Sequence, residues 1–290
     1  MTTVNSTTDP VAGSTCAVAQ PRQASLLCAT TSLWRREIVR FFRQKNRVVG
    51  SFATPLVFWL LLGFGLDRSF QHTPGILPAG EEAVSSQGYL TYFYPGTITL
   101  VLLFTSIFSN ITVIEDRKEG FMQGVLVAPV SRLAIVLGKV FGGATIAMIQ
   151  GLIFMIAWPL IAPWPGLGMM LGAVVVMFIL AVALSALGFC FAWPCSTTSS
   201  FHAIMNLILM PMWFLSGAMF PITQAPLGMK IIMFANPMTY GQELLSGLMK
   251  GDLQSTVLPV AALFGISLGM MALLIFAACR MVGRLPRGSR

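Results

Sequence analysis

Apolar residues in this chain gather into runs of about twenty, separated by short clusters of charge, proline and glycine. As a helix, such a run rises about 30 Å, the thickness of a bilayer's hydrocarbon core. Six runs stand out, at about residues 48–66, 92–114, 133–158, 168–193, 200–220 and 256–278. The pattern predicts an all-α integral membrane protein built as a six-helix transmembrane bundle. Pro55 and Pro211 fall inside the first and fifth runs and predict kinks there. Pro159, Pro163 and Pro165 mark a short turn that makes the third and fourth spans an antiparallel hairpin.

The segments between runs carry their own patterns. Trp34, Ile38 and Phe41 recur at helical spacing, while Arg36, Arg40, Arg43 and Arg47 recur on the opposite face. That predicts an amphipathic helix lying in the membrane interface, with an ordinary basic flank before the first span as the alternative. Residues 1–30 are rich in Ser, Thr and Ala, contain Pro10 and Pro21, and lack the apolar core of a secretory signal. They read as a disordered cytoplasmic tail. The polar stretch 67–87, with Pro74, Pro78, Glu81 and Glu82, reads as an exposed loop. Residues 221–253 are too polar for a clean span, yet they contain an apolar patch at 231–235 and an amphipathic segment at 244–249. They predict two short re-entrant helices that dip part-way into the outer leaflet. The resulting organisation is a tail (1–30), an interfacial helix (31–47), a six-span membrane domain (48–280) and a basic cytoplasmic tail (281–290).

Composition supports the membrane reading. Of 290 residues, 56% are hydrophobic and 10% charged, against about 25% charged in a soluble domain. The net charge of +8 does not signal nucleic acid, because the basic residues sit between apolar runs. Fifteen of the eighteen Lys and Arg fall on one side of the predicted membrane, leaving Arg68, Lys230 and Lys250 on the other. This asymmetry puts both termini in the cytoplasm of a multi-pass protein of the cell membrane. Cys16, Cys28, Cys190, Cys195 and Cys279 suggest no disulfide framework, and neither His72 nor His202 stands at a metal-ligand spacing from the Cys190 and Cys195 pair. Glycines four apart (Gly138 with Gly142, Gly168 with Gly172, Gly265 with Gly269) predict close internal helix packing.

The chain lacks the residues that catalysis would need. A phosphate-cradling loop fails at Gly138 and Lys139, where Leu133 replaces the first glycine and Val140 follows the lysine. His-Glu-x-x-His does not occur, and no Gly-x-Ser-x-Gly opens a helix. No metal and no cofactor is therefore expected in this chain. The central turns of the six runs contain no Asp, Glu, Lys or Arg, and Lys139 lies near the cytoplasmic end of the third. An ion-coupled carrier usually places ionisable groups there. Energy is then expected from a partner at the cytoplasmic face. The candidate contact is the loop with Glu115, Asp116, Arg117, Lys118 and Glu119, then Gly120, then an apolar stripe (Phe121, Met122, Val125, Leu126) stopped by Pro129. Such a segment can dock on another protein or lie on headgroups.

Three motifs carry a family resemblance. Pro95 and Gly96 through Glu115, Arg117, Glu119, Gly120, Pro129, Ser131, Arg132, Gly138 and Lys139 form the first. Leu215, Ser216, Gly217, Ala218, Met219, Phe220 and Pro221 form the second, and Asn236, Pro237, Met238, Thr239 and Tyr240 an Asn-Pro-x-x-Tyr element. In this order they resemble the membrane subunits of type-2 ATP-binding-cassette transporters. The resemblance implies a permease that pairs with a second permease and with two separate nucleotide-binding ATPase subunits, which hold the ATP and magnesium. It implies a connecting helix at 34–42 (Trp34, Arg36, Ile38, Arg40, Phe41) and a coupling helix at 115–127 (Glu115, Asp116, Arg117, Lys118, Glu119, Gly120, Phe121). The first, second and fifth spans would line the route, and half-helices between Pro221 and Leu253 would cap its outer end, in a gate region with Gly217, Phe220, Pro221, Asn236, Pro237 and Tyr240.

The fifth run offers Met205, Met210, Met212, Trp213 and Phe214 as route-lining side chains suited to an apolar or amphipathic cargo, although lipid contact or core packing explains them nearly as well. The expected function is export of an amphipathic or lipid-linked substrate (drug, lipid or polysaccharide). An ion-coupled carrier and a non-transporting anchor for a cytoplasmic ATPase are the rivals.

Overall fold

The computed structural model describes residues 25–71, 82–127, 130–254 and 256–283, which contain eleven α-helices and no strand. Most of the expected tail with Cys16, the loop centre with His72, Pro74, Pro78 and Glu81, Pro129, and Arg284, Arg287 and Arg290 lie outside the described residues. So do the side chains of Arg47 and Leu126.

Helix α1 (Leu26–Arg43) opens where the Ser25 hydroxyl accepts the Cys28 amide at 3.2 Å. It begins inside the segment expected to be disordered, because that cap and Leu26 and Leu27 start the helix early. The chain then bends by 72° into α2 (Lys45–Gln71), which holds Pro55. Helix α3 (Glu82–Phe108) also starts within the expected loop. After a break at Ser109 and Asn110 it continues as α4 (Ile111–Lys118). The charges from Glu115 onward were expected to end this span; the helix runs on through four of them, with Glu115 and Asp116 paired to Arg40 and Arg36 of α1, Arg117 turned to the Trp193 and Cys195 carbonyls, and Lys118 exposed. A turn at Gly120, with φ 77°, leads to α5 (Phe121–Val127).

Helix α6 (Arg132–Ile156) is capped by Ser131, and a short turn leads to α7 (Leu167–Ala192). Helix α8 (Thr198–Trp213) is capped by Thr197 and runs into a wide π-type turn, Phe214–Ala218. Two short helices follow, α9 (Leu227–Ala235) and α10 (Pro237–Lys250), before α11 (Val260–Gly283). Among the described residues five helical segments are long and apolar enough to cross a membrane, or six if the bent α1 and α2 pair counts as one span.

Helix α3 is the central pole. Every residue from Phe93 to Leu103 is buried, and α2, α6, α7 and α10 pack around it. Outward-facing side chains such as Ile156, Leu171, Leu273 and Phe276 are apolar and exposed, as a lipid-facing surface permits. Polar groups inside the bundle pair with one another: Thr99 with Gln242, Thr105 with Gln150, and the Asn110 amide with the Ser185 carbonyl at 3.0 Å. Arg132 at the start of α6 donates to the Val282 and Gly283 carbonyls (3.2 and 2.6 Å), joining its end of the bundle to the end of α11.

The glycine pairs differ in use. A Cβ at Gly138 would lie 2.6 Å from Leu33 Cβ, and one at Gly142 would lie 2.7 Å from Glu37 Cβ, so this pair is the seat of α1 on α6. Gly172 faces Leu248, whereas Gly168, Gly265 and Gly269 meet nothing within 4 Å. Internal packing was expected at all three pairs; the last lies on an open face of α11.

Candidate functional site

Where α1, α4 and α6 meet, the bundle closes around charge. Asp116 of α4 is fully buried and accepts from Arg36 (2.9 and 2.7 Å), from Arg40 (2.5 Å) and from Lys139 of α6. The Lys139 ammonium also donates to Glu37 (2.6 Å) and to the Thr112 hydroxyl (3.2 Å). Thr112 in turn donates to Glu37 at 2.7 Å. Arg40 reaches on to Glu115 (2.9 Å) and Glu119 (3.4 Å). Hydrogen bonding to Asp116 pushes the Arg36 guanidinium above its usual pKa against the opposing effect of burial, so it stays cationic. Such a cluster is costly to desolvate and survives because every buried charge has a partner.

This geometry reverses part of the sequence expectation for α1. Arg36 and Arg40 turn into the protein with Leu33, Glu37 and Phe41, whereas Val39 and Phe42 are exposed. Ile38 is half-buried, and Trp34 donates to the Thr145 hydroxyl at 3.0 Å. Glu37 and Thr112 did not stand out in the sequence, and Lys139 stood there as the end of the first family motif and near a span end, with no ionic partner assigned to it. The usable signal was a lone acid in a basic helix and a lone lysine among apolar residues of another.

The turn after α4 rests on the same cluster. The Arg36 guanidinium lies 3.7 Å above the Phe121 ring, and Met122 is buried, so α5 is anchored through α1. Lys118 and Glu119 remain exposed. Arg117 points the other way, donating to the Trp193 and Cys195 carbonyls with its guanidinium 5.0 Å from the Trp193 ring.

Beside this cluster lies a cavity of about 510 Å³, bounded by the α1 and α2 bend, the α3 and α4 break and the start of α8. Phe41, Phe104, Phe108 and Ile111 supply its apolar wall. Gln44, Ser51, Thr54, Thr105, Ser109, Thr198, His202 and Glu115 supply polar groups. The His202 ring lies 5.3 Å from that of Phe108.

The expected route residues of α8 lie elsewhere. Met205 and Trp213 are fully buried. Trp213 donates to the Gly96 carbonyl at 3.0 Å and packs against Phe58 and Phe93. Met210, Met212 and Phe214 are half-buried, and none of the five lines the cavity. The serine- and threonine-rich parts of α2 and α3 carry no periodic signal that would have pointed to it.

At the other end of the bundle, the second and third motifs meet. Gly217 adopts φ 85°, a left-handed conformation suited to glycine, and its carbonyl accepts from the Tyr92 hydroxyl at 3.0 Å. Asn236 caps α10 through the Met238 amide (3.0 Å) and donates to the Met212 carbonyl (2.5 Å). Thr239 reaches the Leu215 and Met233 carbonyls, and the Tyr240 hydroxyl the Phe234 carbonyl. Side chains of the Asn-Pro-x-x-Tyr element thus bind backbone groups of a broken helix. Pro237 takes the first helical position of α10, and Phe220 is exposed beside half-buried Pro221.

The described residues thus form an all-helical bundle with five or six segments long and apolar enough to cross a membrane. Residues 29–250 match the ABC-2 type transporter family, and the chain belongs to it. It is accordingly the membrane subunit of an ABC transporter, which works with ATPase subunits. It is 27% identical to a putative transport permease, ycf38, of Cyanophora paradoxa, over 84% of this chain and 83% of that one. Nodulation protein J of Rhizobium leguminosarum bv. viciae is 25% identical over 76% of this chain and 82% of its own. The inner membrane transport permease YadH of Escherichia coli (strain K12) is 23% identical over 82% and 88%.

Proposed function

We propose that this chain is the permease of an exporter that moves an amphipathic or lipid-linked substrate outward, using ATP hydrolysed with magnesium in two partner ATPase subunits. It works beside a second permease, either a copy of itself or a related chain, with both termini and the charged end of the bundle in the cytoplasm. In this reading α1 is the connecting helix and the segment from Glu115 through α5 the coupling element. The short helices α9 and α10 then form the outer gate. The observation that carries it is the buried cluster of Glu37, Asp116, Lys139, Arg36 and Arg40. It ties the exposed turn before α5 to α1, α4 and α6 directly beside the cavity, so force applied at that turn cannot be absorbed by a flexible loop.

The test is reconstitution with the cognate ATPase. Replacing both Glu119 and Gly120 abolishes transport and permease-stimulated ATP hydrolysis while the protein still inserts; normal stimulated activity in that double variant removes the turn from the mechanism. Transport by the chain alone under an ion gradient would replace the ATP-driven reading with an ion-coupled carrier. Partner binding without substrate-stimulated turnover would leave only an anchor.

A further inference from the structure

Building on the coupling reading, we propose that Arg117 is a positioning residue that carries movement of α4 to the start of α8. Two neighbours on α4 point to opposite sides. Asp116 is held by Arg36, Arg40 and Lys139, so it moves with α1 and α6. Arg117 turns instead to the link between α7 and α8, residues 193–197. It donates to the Trp193 carbonyl and, at 3.4 Å, to the Cys195 carbonyl. Its guanidinium also lies 5.0 Å from the Trp193 ring. Among the described residues no ion pair includes Arg117. Its charge is met by backbone carbonyls at the end of α7, where the last carbonyls lack intrahelical donors and the helix dipole favours a cation.

The link that Arg117 grips leads directly to the cavity. Pro194, which has no amide proton, ends α7 there. Only Ser196 separates Cys195 from Thr197, the cap of α8, whose hydroxyl accepts the Ser200 amide at 3.1 Å. The first turns of α8 then supply Thr198 and His202 to the cavity wall, and fully buried Phe201 seats them. A shift of Arg117 therefore reaches that wall through the short stretch from Cys195 to Thr198, without passing through the body of α7. The body of α7 is fastened to α3 at the break. The Ser185 carbonyl accepts from Asn110 at 3.0 Å, and Ile107 fills the notch at Gly188, where a Cβ would lie 2.9 Å from Ile107 Cα. Asn110 is thus the pivot, Asp116 the point that receives the pull and Arg117 the point that passes it on.

Hydrogen exchange in the full complex with its ATPase, in nanodiscs, tests this with and without a non-hydrolysable ATP analogue and magnesium. In the native chain nucleotide alters exchange in α5 and in residues 201–206 of α8 by about threefold or more. Arg117→Met keeps the change in α5 and cuts that in α8 below about 1.5-fold. Inserting two glycines after Ser196 leaves Arg117 and both carbonyls in place but slackens the link, and it removes the α8 response in the same way. The insertion keeps every native residue, so it decides the matter even where Arg117→Met fails to insert. Cys195→Ala, which keeps the carbonyl, keeps the response. Each variant is read as its own ratio, so loosening of α8 that is equal with and without nucleotide is divided out. An α8 response that persists in Arg117→Met or in the insertion, or that is lost in Cys195→Ala, overturns the proposal and leaves α5 as the coupling element. A native chain that responds in α5 but not in α8 does the same. Silence of both helices in the native chain defeats the coupling reading as well.

Discussion

Lys139 allows the docking of α1 to be tested quantitatively. Its side chain is 2% exposed, with Glu37 at 2.6 Å and the Thr112 hydroxyl at 3.2 Å. Lys139→Met keeps most of the stem volume and removes the charge. Asp116 then retains Arg36 and Arg40 at 2.7 and 2.5 Å, but Glu37, 4% exposed, is left with Arg36 at 3.3 Å and the Thr112 hydroxyl. A buried carboxylate stripped of its main partner costs about 3 kcal/mol. Glu37→Met alone is milder, about 2 kcal/mol, because Lys139 keeps Asp116. In the double variant the stripped Glu37 carboxylate is gone, and the cost stays at about 2 kcal/mol instead of the additive sum of about 5. Hydrogen exchange of the α1 amides reads these values locally. Lys139→Met accelerates them about a hundredfold, the double variant about thirtyfold, and amides in the middle of α7 keep their rates. If the double variant exchanges as fast as the product of the two singles requires, the pair is not coupled and the account of the cluster fails.

Two further outcomes follow from backbone geometry. Gly138→Leu drives a side chain into Leu33 and lowers stability by about 1–3 kcal/mol, whereas Gly265→Ala, on an open face, changes it by under about 0.5 kcal/mol; thermal melting in detergent separates the two. Gly217→Ala, forced to keep φ 85° with Ile222 at 3.3 Å, costs about 1–2 kcal/mol and speeds amide exchange in α10, which the π-type turn supports. An unchanged exchange rate there would mean that the turn relaxes without its glycine.

The helical runs were legible in the sequence because lipid imposes a length and a composition, and both can be counted. The charged continuation of α3 into α4 was not, since counting treats Glu115 and Asp116 as a stop and cannot see Arg36 and Arg40 approaching from a segment 75 to 80 residues earlier. Periodicity identified an amphipathic α1 but assigned its faces by polarity alone. In the structure the helix buries Glu37 and exposes Val39 and Phe42, because the surface it meets on α6 presents Lys139 between two glycines. The cavity was hidden for a similar reason. Ser51, Thr105 and His202 come from three separate helices, and each alone reads as an ordinary polar residue in an apolar run.

Helix α3 is common to all three regions, and this constrains how a pull at α5 could reach a cargo. Around its middle it holds the far end of the bundle, where Tyr92 binds the Gly217 carbonyl and Gly96 receives Trp213. Its last turns wall the cavity with Phe104, Thr105 and Phe108. Beyond the break at Ser109 and Asn110, α4 contributes Ile111 and Glu115 to the same cavity and Asp116 to the ionic cluster. Asn110 bonds both to Ser106 of α3 (2.8 Å) and to Ser185 of α7 (3.0 Å), fastening the break to the bundle. On the proposed coupling, α4 can therefore change its angle about this point without dragging α3 along. The cavity, walled from both sides of the break, would change shape first. The far end would respond through α8, which carries His202 at the cavity and Trp213 at Gly96. A covalent tether between α4 and α7 should then block the response at the cavity, whereas a tether between α3 and α7 should leave it intact.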